Sequence, residues 1–495
     1  MIKFGEWLPD QAPLENPGLL ECENVLPASS GYKSFPGPLR YTTNAINARP
    51  QGAISVRDTV TNSQIYTFVG TDTEIYVMDG ATFTNVSRVS GYNTTAEEQW
   101  EFVQWGNQVV ATNFSDEMQV ATIGSGDFDD LAGTPPKARH IATVRDFLVT
   151  GNTWDASDLF KPNRVRWAGI GTIDSWTVSA TTQADFQDLQ NENAGQIQKI
   201  VGGEFGLIFQ QNAITRMSYI GSPDIFQFDL VESQRGALSP GSVQKFGNNV
   251  AYLSQDGFFV FDGQRSIPIG DGKVDQYFFD TVDRSYIQSR MSVALYPTEN
   301  IICWSYASLY ADNGMPDTIL MYNFSPSSQQ RWASAAIDTW YLVSPVSQSY
   351  TLDGLDAVST NLDTLPFSLD SSVWMGLVNL LGTFDTDLYL NMLNGLPLEA
   401  TITTGEAWLS NPDRTYVTLL RPHIDLSQGL ITVEVGQRNL ESEAATFTLP
   451  ASPNSAGYVP VRANARFLRA RFTLQDGFAD AQGFDIMTTA TSGRR

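Results

Sequence analysis

The sequence predicts an all-β protein, and three observations carry that reading. The composition, with 42% hydrophobic, 12% aromatic and only 17% charged residues and 39 glycines in 495, is that of a folded, turn-rich chain. Short aromatic runs alternate with Gly-Asn and Asp-Gly turns, as in GSVQKFGNNVAYLSQDGFFVFDGQ (Gly241 to Gln264), which reads strand, turn, strand, turn, strand. These landmarks also recur. Trp105-Gly106-Asn107 returns as Phe246-Gly247-Asn248, 141 residues on, and IYVMDG ending at Gly80 returns as FFVFDG ending at Gly263, 183 residues on. Both offsets are near-multiples of about 46–47 residues, inside the ~40–50-residue period of β-propeller blades. A stack of sandwiches gives similar hairpins but no reason to keep a period.

In chain order, residues 1–50 form a Pro-rich, extended arm (LPDQAPLENPG, LPASSGYKSFPGP) that lies on its own domain or on a neighbour. Residues 51–345 are expected to form a β-propeller of about six blades, with hairpins at QIYTFVGTDTEIYVMDG, WEFVQWGNQVVATNF and their successors. The repeat lacks the G-H…W-D signature of WD40 blades, so the period alone predicts it. Residues 346–397 hold a strap in which Leu-Asp recurs, at Asp353, Asp356, Asp363 and Asp370, followed by connecting strands. Within it the low-charge run Ser371 to Phe384 places Trp374, Met375 and Leu377 either beneath the strap or at a constriction of a channel. Residues 398–495 return to strands (LEATITTGEAWL, LITVEVGQRNL, ARFLRARFTLQ) and are expected to build a β-sandwich-like platform with the arm.

Charge narrows the function. With 54 acidic against 30 basic residues the net charge is −24, the wrong sign for wrapping phosphates. It suits a soluble surface, or one past which DNA slides without sticking. Cys22 and Cys303 allow no disulfide framework or C-x-x-C site, and His140 and His423 stand in no zinc-ligand spacing. The four strap aspartates are spread wider than a calcium loop, which gathers its oxygens within about a dozen residues. No uncharged apolar run approaches the ~20 residues of a membrane span, and MIKFGEWLPDQAP has no apolar leader core, so synthesis in the cytosol is expected.

Catalytic patterns are equally thin. Ser254-Gln255-Asp256-Gly257 is a poor match to a sialidase Asp-box and is better explained as a hairpin turn; no second copy accompanies it. Gly202-Gly203-Glu204-Phe205-Gly206 has no following helix to cradle phosphate. No Ser-His-Asp arrangement, cofactor fingerprint or metal set emerges, and no enzyme activity is expected. On ARFLRARF, Arg469 and Arg471 share one strand face opposite Leu468, Ala470 and Phe472, a basic strip suited to an acidic neighbouring subunit or to protecting a sheet edge.

Several segments resemble the tail nozzle proteins of short-tailed bacteriophages, also described as tail tubular or packaged-DNA stabilisation proteins. They are FQFDLVESQRGALSPGSVQKFGNNVAYLSQDGFFVFDGQRSIPIGDGKVDQYF, LDGLDAVSTNLDTLPFSLDSSVWMG, GTFDTDLYLNMLNGLPLEATITTGE, the final ARFLRARFTLQDGFADAQGFDIMTTATSGRR and the early ENVLPASSGYKSFPG. Trp374-Met375-Gly376 departs from the Gly-Gly that follows this tryptophan in relatives. The resemblance implies a virion protein made in the bacterial cytoplasm: a homo-hexameric ring below the portal and the head-to-tail adaptor, in contact with tail fibre or needle proteins. Double-stranded DNA would pass through its bore without sequence-specific binding. The alternative is a carbohydrate- or protein-binding propeller, or less favourably a glycosidase.

Overall fold

The computed structural model describes the chain except residues 61–63, 192, 330, 347–358, 360, 362–364, 366–379, 410–413, 427–428 and 493–495. The strap aspartates at 353, 356, 363 and 370, and Trp374, Met375 and Leu377, lie outside the described residues. The fold is all-β: six four-stranded sheets, one nine-stranded and one six-stranded sheet, with two short α-helices at Asp275–Thr281 and Ile287–Arg290. No helix among the described residues is long and apolar enough to cross a membrane.

Seven consecutive antiparallel units follow the arm. The first runs from strand Gly52–Arg57 to Thr82–Asn85 and the second from Glu101–Trp105 to Ser125–Asp130. The third runs from Lys137–Val144 to Asp185–Asp188, the fourth from Ile197–Val201 to Ile225–Glu232, and the fifth from Gln244–Phe246 to Ser266–Pro268. Strands Ser292–Tyr296 to Trp332–Ala336 form the sixth unit, which opens the nine-stranded sheet. The seventh pairs Leu342–Val346, Leu380–Phe384 and Leu390–Pro397 with Pro36–Arg40 from the arm. Within the units the sequence landmarks take matching places. Trp105 and Phe246 each end a first strand, with Gly106 and Gly247 at φ +56° and +57° in the turn that follows. Asp79 and Phe261 each end a third strand.

First strands neighbour one another, and named bonds join each unit to the next. Gln104 Nε2 donates to the Arg57 carbonyl (2.7 Å), and the Ile141 amide to Glu101 Oε2 (3.1 Å). The Arg145 amide donates to the Gly203 carbonyl (2.8 Å), and Lys245 Nζ to that of Gly202 (2.8 Å). Trp304 Nε1 donates to the Ser242 carbonyl (2.9 Å), and the Leu342 amide to Ser292 Oγ (3.1 Å). Strand Leu342–Val346 then packs back against Gly52–Arg57, closing the cycle. Glycine permits the close approach: a Cβ on Gly202 would stand 2.1 Å from the Thr143 carbonyl oxygen.

The platform is a continuation of this cycle. Trp332–Ala336 pairs in parallel with Leu19–Glu23, which leads through Ala400–Thr404, Phe467–Gln475 and Leu430–Arg438 to Thr446–Phe447. The six-stranded sheet, centred on Arg414–Asp425 and Asp480–Ser492, packs on it. One core runs through Phe258, Trp304, Trp332, Ile402, Val433 and Phe472, so the fifth and sixth units and the platform share a single hydrophobic interior.

Candidate functional site

Where the seven units converge lies a cavity of about 450 Å³ to which every unit or its approach contributes: Ala53, Val103, Thr143, Val201, Lys245, Val293 and Tyr341. It adjoins a second chamber of about 360 Å³, the two sharing Gln99, Glu101 and Pro240. Their common wall is a buried charge cluster. Glu101 Oε1 stands 2.9 Å from His140 Nδ1 and accepts from Lys199 Nζ at 2.8 Å. His140 Nε2 lies 3.1 Å from the Ile197 carbonyl oxygen.

Each member is a polar residue on the first strand of a different unit, EFVQW, KARHIATV and IQKIV. Burial raises the Glu101 carboxyl, but the facing Lys199 ammonium and His140 ring outweigh it and hold the group down at about 2. The cluster therefore ties the second, third and fourth units together by charge-assisted bonds. It holds no nucleophile poised beside a base. Among the described residues no group of three His, Cys, Asp or Glu side chains could hold a metal ion.

The platform contains the two sequence-predicted arginines. Strand Phe467–Gln475 pairs on both sides, with Ala400–Thr404 and Leu430–Arg438, so it is an interior strand and edge protection is not the role of its basic strip. Arg471 reaches Glu21 of the arm at 3.2 Å and lies 4.1 Å over the Phe447 ring, so its acidic partner is within its own chain. Arg469 lies 5.1 Å over the same ring and lines a cavity of about 390 Å³ between the platform sheets. Single-residue reading of the sequence missed Glu101, His140 and Lys199. The available signal was a charged or imidazole side chain interrupting the first strand of three successive units.

No protein-family model matches the chain, and no curated protein matches it. Among solved structures, the computationally designed Ika8 protein aligns over 72% of this chain and 99% of its own, at 11% identity and a TM-score of 0.37. A likeness that slight carries no argument.

Proposed function

We propose that the protein is the structural nozzle of a short phage tail, its seven units acting as the blades of a propeller closed by the arm. Six copies form a ring beneath the head-to-tail adaptor, meet fibre or needle proteins, and conduct the genome into the host. The observation that supports this best is continuity: the arm closes the seventh unit, and the sixth unit runs without a break into the platform sheet. A part that holds its shape under load needs one interior and no hinge. The resemblance of the quoted segments to nozzle proteins adds the assembly.

A cavity of about 450 Å³ where the units converge is far too small for a duplex, so DNA passes between copies and not through one. The net charge of −24 then gives the bore a sign that repels phosphate. The test is direct. Antibodies raised against the purified chain should label the tails of intact virions; particles whose tails take no label would reject the assignment.

A further inference from the structure

The second chamber, of about 360 Å³, has an unusual lining: seven of its fourteen residues are Asn or Gln. Two of them, Asn152 and Gln198, are 1% and 3% exposed. Asn152 Nδ2 donates to the Ile197 carbonyl (3.1 Å), which fixes the amide and leaves Oδ1 without a partner; Gln198 Nε2 has none either. A buried acceptor and a buried donor left unpaired in one chamber are costly unless something supplies the missing bonds.

The charges in the chamber are largely spent on each other. Glu98 meets Arg139 at 3.2 Å and accepts from Ser115 Oγ at 2.5 Å, Glu101 is held by His140 and Lys199, and Arg139 also covers the Phe114 ring at 4.3 Å. An anion finds no free cation there. An apolar segment would strand the amides. What remains is a neutral ligand rich in both donors and acceptors.

A second observation narrows the class. Phe114, on the chamber wall, meets Phe160 edge-to-face at 5.7 Å, and Phe160 stands opposite Trp154 across a hairpin. Phe160 is 47% and Trp154 36% exposed. Large aromatic faces open to solvent beside an amide-lined hollow suit a ring that is apolar on its C–H face and hydroxylated on its rim.

We infer that the chamber and this aromatic hairpin bind a neutral saccharide, one unit seated among Asn152, Gln198 and Gln99 and the next against Phe160 and Trp154. The inference stands on the chamber's lining and is independent of the nozzle reading, since a chain that labels no tail can still bind sugar and the reverse. The test is saturation-transfer NMR and calorimetry on the full chain, using glucose, galactose, mannose and N-acetylglucosamine and their linear trimers. Adenosine and heparin serve as controls.

At least one neutral sugar should bind, and Gln198→Leu should weaken it about tenfold, the loss of one or two buried hydrogen bonds. Should that variant fail to fold, the half-buried Gln99 is changed to Ala instead. A trimer that binds more tightly than its monomer, and loses only that advantage in Trp154→Ala, assigns the site to chains such as surface polysaccharides. Equal affinities assign it to free sugars. Silence across the neutral panel, binding indifferent to the Gln198 and Gln99 changes, or tighter binding of adenosine or heparin would overturn the inference.

Discussion

Glu101 shows how one side chain can hold three sheets. Because its folded-state pKa is held down, the stability it contributes is present above the ordinary carboxylate range and is lost as pH falls toward about 2. Glu101→Gln should cost roughly 2–4 kcal/mol in chemical denaturation at neutral pH, somewhat below a fully buried pair because Lys199 is 28% exposed. Asp275 has the opposite sign. Burial pushes its carboxyl up to about 7, with Asp10, Asp271 and Asp256 adding repulsion, although its Oδ1 accepts from the Phe258 amide at 3.0 Å. Gly257, in the repeated DGFF hairpin, makes room for it: a Cβ there would lie 2.1 Å from Asp275 Oδ2. Its contribution is full below the ordinary carboxylate range and is lost as pH rises through about 7. Asp275→Asn keeps the acceptor and should therefore raise stability by about 1–2 kcal/mol near pH 8, a value reduced for partial exposure, and leave it unchanged near pH 4. Thermal melts at the two pH values decide it; a gain that does not change with pH would contradict this account.

At the scale of elements, closure of the seventh unit depends on a strand from the far end of the chain. Pro36–Arg40 pairs with Leu390–Pro397, and Leu39, 8% exposed, faces the interior. Leu39→Asp should cost about 3 kcal/mol or more by burying an unpaired charge and should open the arm to limited proteolysis near that strand. An arm that stays resistant would mean the closure is held elsewhere. The same pairing marks what the sequence made legible. Local signals, Gly106 and Gly247 in their turns and the alternation of the flanking strands, located the hairpins because turn chemistry acts over a few residues. A pairing between residues about 350 positions apart leaves no such local trace, and neither does a nine-stranded sheet assembled from both ends of the chain. The charge cluster stayed hidden for the same reason: Glu101 and Lys199 lie 98 residues apart and acquire meaning only when three first strands are brought side by side. Outer strands were easier to explain. Ser125–Asp130 exposes Asp127, Asp129 and Asp130, and Ser266–Pro268 ends in proline, both of which discourage pairing with a stranger's edge.

At the scale of the whole molecule, the account joins a closed cycle of sheets, a platform continuous with it and a strongly acidic chain. If acidic side chains line the bore of a six-copy ring, neutralising them should slow genome delivery without preventing assembly, most visibly at low salt where screening is weak. Ejection rates indifferent to both charge and salt would leave the geometry and remove the electrostatics. The ring itself is the central claim, and the mass of the purified chain, alone and mixed with its head-to-tail adaptor, tests it most directly. The account predicts a complex holding six chains of 54.5 kDa on the adaptor; a chain that remains monomeric under both conditions would contradict it.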